Sequence, residues 1–386
     1  MAARSYKALF VTHDIGHYGA ARSLQTFLAS YETQRADLVI NRRLVGRNDV
    51  EAIRHRLSPN VTNIWEGFLP FDRCFKGKPV ITLPLLVRGV LASWERRRLL
   101  DKIAAERFDF IYLNSLVLHA LIEPDLPFLI HVREIYDGTN NKAAKSLDKA
   151  HGVIFIDGAT RRAFPHLLAP WVILNNPFDM RASDPNKVKS MNDRLAIGNR
   201  TVFTLVGTMN ENKGTDFVID CFRRASRNDA VLLVVGNGSG AYEKYCRKLA
   251  SGNHHIMFNG FEEDVAIIYA ISDYIIRGEA YPCVGRTMYE GLYSGCAVII
   301  PGDTVATPDV FEYDRFKDSI HFYPPRQSEA LESLFLNLKK LHVRGTASQS
   351  NVSDFINGFD AFVGKVVGSG EMSRPPDPMA RAASLA

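Results

Sequence analysis

The 386-residue sequence lacks any uninterrupted apolar run of about 18 residues, the length that a membrane-spanning helix requires. Its five cysteines are widely spaced and form no C-x-x-C pair, a pattern typical of reduced thiols in a cytosolic protein. There is no D-x-D triplet and no histidine pair at ligand spacing, so no metal site is expected. A net charge of +5 is too small to indicate a nucleic-acid partner. These absences favour a cytoplasmic globular protein.

Short apolar runs alternate with helical or loop stretches through both halves of the chain, as in "KALFVTH" (7–13) and "AVLLVVG" (230–236). Runs of this kind are typical of parallel strands joined by crossover helices. The pattern predicts an α/β fold of two Rossmann-like, doubly wound parallel-sheet domains that face each other across a cleft. We expect these domains at 1–180 and 181–365, with a final helix that can return to the N-terminal domain and a disordered tail at 366–386.

Two glycine-bearing loops in the second half follow predicted strands. In "LVGTMNENKG" (205–214), Lys213 and Gly214 precede a helix, where an ammonium group beside free backbone amides is suited to a diphosphate; the alternative is an ordinary surface lysine. In "VVGNGSGA" (234–241), Gly236 and Gly238 resemble a dinucleotide turn. Because of this resemblance, a nucleotide-dependent oxidoreductase is kept as an alternative. Against it, a dinucleotide turn follows the first strand of its unit, whereas this strand is the second.

The stretch "GEAYPCVGRTMYEG" (278–291) places two glutamates around a strand-to-helix turn. The turn residues Gly285, Arg286 and Thr287 can offer backbone amides to phosphate oxygens. Glu290, about one turn into the helix, can accept two ribose hydroxyls, and Glu279 can accept hydroxyls of a sugar. The alternative for Glu290 is an ion pair with Arg286 four residues earlier.

Residues 200–302 resemble the donor domain of GT-B glycosyltransferases, specifically the retaining family 4, through "VGTMNENKG", "LLVVGNGS" and "EAYPCVGRTMYEGLYSGCAVI". That family has seven residues between its two glutamates. Here there are ten between Glu279 and Glu290, which is consistent with an insertion of Pro282-Cys283-Val284. The family's arginine after the first glycine is replaced by Thr208. The resemblance implies that Lys213 is joined at the diphosphate by another cation, namely Arg286, Arg277 or Arg133.

The resemblance also assigns roles to residues elsewhere in the chain. In the N-terminal half it implies a glycine loop over the donor phosphates at Gly19, Ala20 and Arg22, and donor-facing side chains at the end of "PFLIHVRE". In the C-terminal half it implies nucleobase contacts. The catalytic candidates are Glu279, His131 and Lys213, and the further donor-facing candidates are Arg133 and Glu134. The nucleobase candidates are Gly260 and Phe261. Asn175 and Asn176 are interpreted as turn formers.

The implied reaction transfers a sugar from a UDP- or GDP-sugar to a hydroxyl of a glycan acceptor with retention, without metal or other cofactor. The implied setting is synthesis of a bacterial cell-surface polysaccharide such as lipopolysaccharide, O-antigen or capsule. The basic and apolar stretch 75–108 predicts peripheral contact with the inner face of an anionic membrane; the alternative is a crossover helix with a solvated face. A third possibility, a catalytically weak protein that binds sugar nucleotides, follows from Thr208 and the altered glutamate spacing.

Overall fold

The computed structural model describes residues 6–368 except 17–18, 34, 43–47, 49, 73–82, 135, 137–140, 239, 283, 303–309 and 342–348. The chain divides into two compact units: Met1–Pro177 with Asn351–Ala386 form the N-terminal unit, and Phe178–Ser350 form the C-terminal unit. The sequence analysis placed this division at 180/181. Most of the predicted tail, from residue 369 onward, lies outside the described residues.

The N-terminal unit contains a seven-stranded parallel sheet in the order β3-β2-β1-β4-β5-β6-β7. Its strands are β1 (Lys7–Thr12), β2 (Arg35–Asn41), β3 (Val61–Gly67), β4 (Phe110–Leu113), β5 (Phe128–Val132), β6 (Gly152–Phe155) and β7 (Trp171–Ile173). Its helices are α1 (Gly19–Ser30), α2 (Val50–Arg54), α3 (Leu83–Glu106), α4 (Asn141–Leu147), α5 (Gly158–Arg162) and, from the end of the chain, α13 (Val352–Val366). The sheet is all-parallel because each strand is followed by a crossover segment.

Two apolar layers cover the faces of this sheet. On one face, Phe27 of α1 packs edge-to-face against Phe355 and Phe359 of α13, at ring-centroid distances of 5.0 and 4.9 Å. The other face packs against α3, α4 and the 3₁₀ turn Leu116–Leu121, with Ile103 and Leu147 buried in that layer. The inner strands β1, β4, β5 and β6 are buried on both sides, which explains why their sequences are nearly continuous apolar runs rather than alternating ones.

The C-terminal unit contains a six-stranded parallel sheet in the order β11-β10-β9-β12-β13-β14, and a two-stranded antiparallel ribbon joins β8 and β15. The strands are β8 (Asp179–Met180), β9 (Thr201–Val206), β10 (Ala230–Val235), β11 (Ile256–Gly260), β12 (Tyr274–Ile276), β13 (Ala297–Pro301), β14 (Ile320–Tyr323) and β15 (Gln349–Ser350). The helices are α6 (Pro185–Arg194), α7 (Thr215–Ala225), α8 (Gly240–Leu249), α9 (Val265–Ile271), α10 (Arg286–Tyr293), α11 (Tyr313–Phe316) and α12 (Ser328–Asn337).

Helices cover both faces of this second sheet as well. Phe203 of β9 packs against Phe335 of α12 at 5.0 Å between ring centroids, and Ile275 of β12 is buried on the opposite face with Met288 of α10. The predicted class, two Rossmann-like parallel-sheet domains, is confirmed. In the described part of the chain, no helix has both the length and the hydropathy to cross a membrane.

Candidate functional site

The C-terminal sheet has a topological switch point between β9 and β12, which are neighbours although they are not consecutive along the chain. From β9 the chain proceeds outward to β10 and β11, and then returns to β12 on the other side. In open α/β sheets, ligands bind outside the carboxyl ends of the strands at such a point. A small pocket lies there, and its polar lining comprises Thr208, Lys213, Thr215, Arg277 and Glu279.

Two glycines bring the loops of this pocket together. Gly214 adopts a left-handed conformation with φ of 62°, and an added Cβ would lie 1.9 Å from the carbonyl oxygen of Gly278. A Cβ on Gly278 would in turn lie 2.5 Å from the carbonyl oxygen of Gly214. Because neither position has room for a side chain, the backbone after Lys213 can approach the backbone before Glu279. This contact places the predicted lysine beside the predicted glutamate.

Glu279 is completely buried and forms ion pairs with two cations. The Lys213 ammonium lies 3.2 Å from Oε1, and the Arg277 guanidinium donates to both carboxylate oxygens, with a distance of 3.1 Å from Nε to Oε2. Burial opposes ionisation of this carboxyl group, but the charges of Arg277 and Lys213 outweigh it, so its pKa lies below the usual value. Glu279 is therefore ionised and holds both cations at the pocket.

The Arg277 guanidinium also touches the start of α10. Its Nη1 donates to the Thr287 hydroxyl at 3.2 Å, and a Cβ added to Gly285 would lie 2.6 Å from the same nitrogen. Gly285 is thus the residue that allows the guanidinium to lie against the helix N-terminus. Backbone amides of a helix N-terminus and a guanidinium are both favourable neighbours for phosphate oxygens. The sequence analysis named Arg277 only as one of three possible cations.

Glu290 is equally buried, and its carboxylate has protein partners on both oxygens. Arg286 Nε donates to Oε1 at 2.7 Å, and the Tyr269 hydroxyl donates to Oε2 at 2.7 Å. The Arg286 guanidinium also lies over the ring of Phe178, 4.9 Å from its centroid. The ion pair offered as the alternative for Glu290 is therefore present, and its ribose-binding role stays a prediction. Tyr269 was not foreseen, because it lies 21 residues away on α9.

The other predicted donor residues of this unit lie at the ends of β10 and β11. The Gly236 amide donates to the Gly260 carbonyl at 2.7 Å, which joins the two strand ends. Phe261, the next residue, is a large apolar side chain with 56% exposure. Thr208, after β9, is also exposed. Among the residues that the structure describes, no group of three or more His, Cys, Asp or Glu side chains could hold a metal ion.

In the N-terminal unit, the predicted glycine-loop residues lie at the start of α1, which begins at Gly19. Asn114, after β4, donates to the Ala20 carbonyl at 3.0 Å, and Ser23 donates to the Gly19 carbonyl at 2.8 Å. Arg22, on the first turn of the same helix, is partly exposed. These residues lie at the carboxyl edge of the N-terminal sheet, next to its own switch point between β1 and β4.

His131 lies in the core of the N-terminal unit rather than at a surface. Nδ1 of the imidazole lies 2.7 Å from the Tyr112 hydroxyl, and the imidazole ring stacks on Phe355. The same hydroxyl accepts a hydrogen bond from Arg133 Nη2 at 3.0 Å. Burial and then the charge of Arg133 lower the pKa of His131 well below its usual value, so the ring is neutral. The catalytic role predicted for this histidine stays a prediction, and its ring is fully buried between Tyr112 and Phe355.

Arg133 and Glu134 serve local contacts. Arg133 Nη1 donates to the side chain of Asn176, and Glu134 accepts the Leu116 amide at 2.9 Å. Asn176 also accepts from Ser23 at 2.9 Å, and its carbonyl accepts from Asn351 at 3.1 Å. The Asn175 side chain accepts the Asn176 amide at 2.8 Å, and its predicted role as a turn former stays a prediction. Asn176 is more than a turn former: it connects α1, β5 and the start of α13.

Two doubly wound parallel-sheet units, with a cationic pocket at the switch point of the second, define the GT-B class of fold. Residues 187–340, within the C-terminal unit, match the family model described as glycosyl transferases group 1. The GT-B resemblance stated from the sequence is thereby confirmed, whereas its assignment to family 4 stays a prediction. The match lies in the unit that contains Lys213, Arg277 and Glu279.

Similar proteins are found by sequence and by structure. A glycogen synthase of Paracidovorax citrulli (strain AAC00-1) is 36% identical over 108 residues, which is 27% of this chain and only 21% of that protein. Anabaena Alr3699/HepE in complex with UDP-glucose has a TM-score of 0.64 and 18% identity, with 99% of this chain and 100% of that chain covered. WaaG, described as a glycosyltransferase involved in lipopolysaccharide biosynthesis, has a TM-score of 0.57 and 12% identity, with 98% of this chain and 99% of that chain covered.

Proposed function

We propose that the chain is a retaining glycosyltransferase that moves a sugar from a UDP- or GDP-sugar to a hydroxyl of a glycan acceptor. The observation that supports this most is the convergence of Lys213, Arg277 and Glu279 at the switch point of the C-terminal sheet. A diphosphate needs two or more charge-assisted contacts, and this pocket holds two cations next to a helix N-terminus. The similarity to HepE, whose structure contains UDP-glucose, supports the same donor class.

Arg277 is proposed to replace the arginine that is missing at Thr208. The two residues line the same pocket, one after β12 and the other after β9. Of the other candidates, Arg286 does not line this pocket, and Arg133 belongs to the N-terminal unit. Arg277 is the candidate that already neighbours Lys213 through the shared carboxylate of Glu279.

In the proposed reaction, these cations stabilise the charge that develops on the departing nucleoside diphosphate. The sugar passes through an oxocarbenium-like transition state, and the acceptor hydroxyl attacks the same face that the diphosphate leaves. A phosphate oxygen takes the acceptor's proton, so the protein contributes positioning and charge stabilisation. Glu279 fixes the two cations before the donor arrives, and its own contact with the sugar hydroxyls is part of the proposal. No metal is invoked, because Lys213 and Arg277 supply the positive charge.

The first test is calorimetric titration with UDP, GDP and NAD in the presence of EDTA. We expect metal-independent binding of UDP or GDP, weakened about tenfold or more in Lys213→Ala through loss of a charged contact. Lys189→Ala, an exposed lysine on α6, is the matched control and should bind as the wild type does. Binding of NAD alone, or equal UDP affinity in Lys213→Ala, would contradict the proposal.

A rescue experiment tests the assignment of Arg277. Arg277→Gln should lower UDP affinity and turnover by about tenfold or more. Adding Thr208→Arg to that variant should restore a large part of both, because it returns a guanidinium to the same pocket. Circular dichroism of each variant checks that the unit is folded. Unchanged UDP affinity in Arg277→Gln, or a folded double variant without any recovery, would show that Arg277 does not replace the missing arginine.

The oxidoreductase alternative is not favoured by the turn at Gly236 and Gly238. The Gly238 amide, which a dinucleotide phosphate would need, donates instead to the Glu243 carboxylate at 2.9 Å. A carboxylate at the start of α8 repels phosphate oxygens.

The third alternative, a weak sugar-nucleotide binder, is distinguished by turnover. Sugar release from UDP-glucose or GDP-mannose with an acceptor present supports an enzyme, whereas tight nucleotide binding without turnover supports the binder.

We further propose that the acceptor is a lipid-linked glycan of a bacterial surface polysaccharide and that α3 contacts the membrane. Val90 and Trp94 are 72% and 60% exposed on this helix, and the Arg98 guanidinium lies over the Trp94 ring at 4.8 Å. An apolar stripe beside exposed arginines is suited to an anionic bilayer surface. Arg96, in contrast, is engaged with Ala120 and Glu123. Residues 75–82 of the predicted basic stretch lie outside the described residues.

Sedimentation with vesicles that contain phosphatidylglycerol tests this contact. Arg97→Glu with Arg98→Glu should abolish co-sedimentation, since each basic residue near an anionic surface contributes roughly 1 kcal/mol. Lys187→Glu with Lys189→Glu on α6 introduces the same change in charge and should leave sedimentation intact. Equal loss in both pairs would indicate a non-specific charge effect, and no loss in either would remove the membrane contact.

A further inference from the structure

A second cavity lies in the N-terminal unit, between the first halves of β2 and β3 and the end of α3. It is open to solvent, has a volume of about 430 Å³, and its lining includes Arg35, Asp37, Arg54, Trp65, Lys102 and Glu106. We call it the amino-edge cavity. Gly19 and Arg133, the predicted donor-facing residues of this unit, lie at the opposite, carboxyl edge of the same sheet.

The acidic groups of the amino-edge cavity are already neutralised. Asp37 is 1% exposed and accepts four hydrogen bonds: two from the Arg35 guanidinium at 3.0 and 2.7 Å, one from Thr62 at 3.0 Å and one from Asn63 at 3.1 Å. Glu106 pairs with Lys7 at 3.2 Å and lies 3.4 Å from Arg35. The two carboxylates therefore act as a rigid support for the cavity wall, and they leave little acceptor capacity for a ligand.

Two cationic groups of the cavity, in contrast, are not neutralised by a carboxylate. Arg54 and Lys102 are both exposed, and no carboxylate in the described part of the chain forms an ion pair with either. The Lys102 ammonium lies 3.8 Å from the centroid of the Trp65 ring, a cation–π contact that holds it at the cavity. The cavity thus presents an excess of hydrogen-bond donors and of positive charge, which is complementary to an oxyanion.

We propose that the amino-edge cavity binds a saccharide through a carboxylate or phosphate group, with Arg54 and Lys102 contacting the oxyanion. Its volume exceeds what a bare oxyanion occupies and leaves room for the sugar ring that carries the group. The saccharide part of this inference rests on the proposed function, in which the chain handles glycans, whereas the oxyanion part rests on the cavity alone. Such a site would hold an anionic glycan at the amino edge of the N-terminal sheet.

Trp65 provides a direct readout, because Lys102 contacts its ring. In a Trp94→Phe, Trp171→Phe background, Trp65 is the only tryptophan of the sequence. This protein is titrated with glucuronate, glucose 6-phosphate, inorganic phosphate and glucose while Trp65 fluorescence is recorded. We expect a saturable change with glucuronate or glucose 6-phosphate and none with glucose. Which of the two anions binds more tightly distinguishes a carboxylate ligand from a phosphate ligand.

Matched variants separate this site from the donor pocket. Arg54→Gln should weaken the fluorescence titration about tenfold or more, through loss of one charged contact. Lys213→Ala should leave it unchanged while it impairs UDP binding, so the two proposals fail independently. Lys102→Gln should also weaken anion binding when followed by calorimetry, which does not depend on Trp65. The proposal is overturned if no anion produces a saturable change, or if glucose binds as well as glucuronate. It is also overturned if glucuronate, glucose 6-phosphate and inorganic phosphate each bind Arg54→Gln as tightly as they bind its parent.

Discussion

The contact between Gly214 and Gly278 leads to a prediction about how the donor pocket is built. Gly214→Ala adds a Cβ that would lie 1.9 Å from the Gly278 carbonyl oxygen, so the two backbones must separate by about 1 Å. Gly198 is a matched control: its φ of 59° is close to the 62° of Gly214, and nothing lies within 4 Å of its Cβ position. Gly198→Ala therefore reports the left-handed strain alone, and Gly214→Ala reports that strain plus the backbone contact.

The expected magnitudes differ clearly. An alanine in the left-handed region costs about 1–2 kcal/mol, which is the whole expected effect of Gly198→Ala. Overpacking against a backbone atom adds about 1–3 kcal/mol, so Gly214→Ala should cost about 2–5 kcal/mol in total. For a unit of the size of Phe178–Ser350, this corresponds to a fall of about 4–20 °C in its melting temperature. Since Lys213 moves away from Glu279, UDP affinity should fall as well.

Differential scanning calorimetry resolves the transition of the C-terminal unit, and titration with UDP measures the pocket. We expect the melting temperature and the UDP affinity to fall together in Gly214→Ala and the affinity to remain unchanged in Gly198→Ala. Equal losses of stability in the two variants would refute the idea that the Gly214–Gly278 contact builds the pocket. Full UDP affinity in a destabilised Gly214→Ala would show instead that the contact matters for the fold and not for the ligand.

Three further predictions concern buried ionisable groups. The pKa of Glu279 is lowered from 4.5, so its ionised form stabilises the C-terminal unit above pH 4.5, and this stabilisation is lost as the pH falls further. Urea denaturation at several pH values should therefore show that Lys213→Met is less stable than the wild type at neutral pH and equally stable in acid. The pKa of His131 is lowered well below 6.5 by burial, so stability should fall as pH drops below 6.5 in the wild type and less in His131→Gln; turnover of the folded variant tests the predicted catalytic role. Tyr31→Phe removes the hydroxyl that donates to Asp360 of α13 at 2.9 Å, so it should lower stability by about 1–2 kcal/mol and increase hydrogen exchange in Val352–Val366. Unchanged exchange would mean that this hydrogen bond does not hold the helix.

Much of the fold was accessible from the sequence because both sheets are parallel and buried. An inner strand is then a nearly continuous apolar run that is easily recognised, and residues that follow such runs gather at one edge of the sheet. Lys213 and Glu279 both come after such runs, and they meet at 3.2 Å although they are 66 positions apart. The predicted ion pair of Arg286 with Glu290 required only the helical spacing of four residues.

The remaining features depend on tertiary contacts that no local pattern encodes. Arg277 ends an apolar strand, which made it a candidate, but its two bonds to Glu279 follow from the conformation of a three-residue segment. Tyr269 reaches Glu290 from a different helix. His131 reads as a polar residue at the end of a strand, and only the return of α13 across the sheet shows that its ring is covered by Phe355. The cationic character of the amino-edge cavity likewise requires knowing which carboxylates are already paired.

The return of α13 to the first sheet has a consequence for the order in which the protein is made. Phe355, Phe359 and Phe362 complete the core that begins with Phe10 and Phe27, more than 300 residues earlier in the chain. Residues 178–350, in contrast, form one uninterrupted unit. During synthesis the second unit can therefore finish folding while one face of the first sheet still lacks its cover, and the first unit becomes complete only after α13 has left the ribosome. The stretch 1–177 on its own should expose that aromatic face and aggregate, whereas 178–350 is the fragment suited to independent expression.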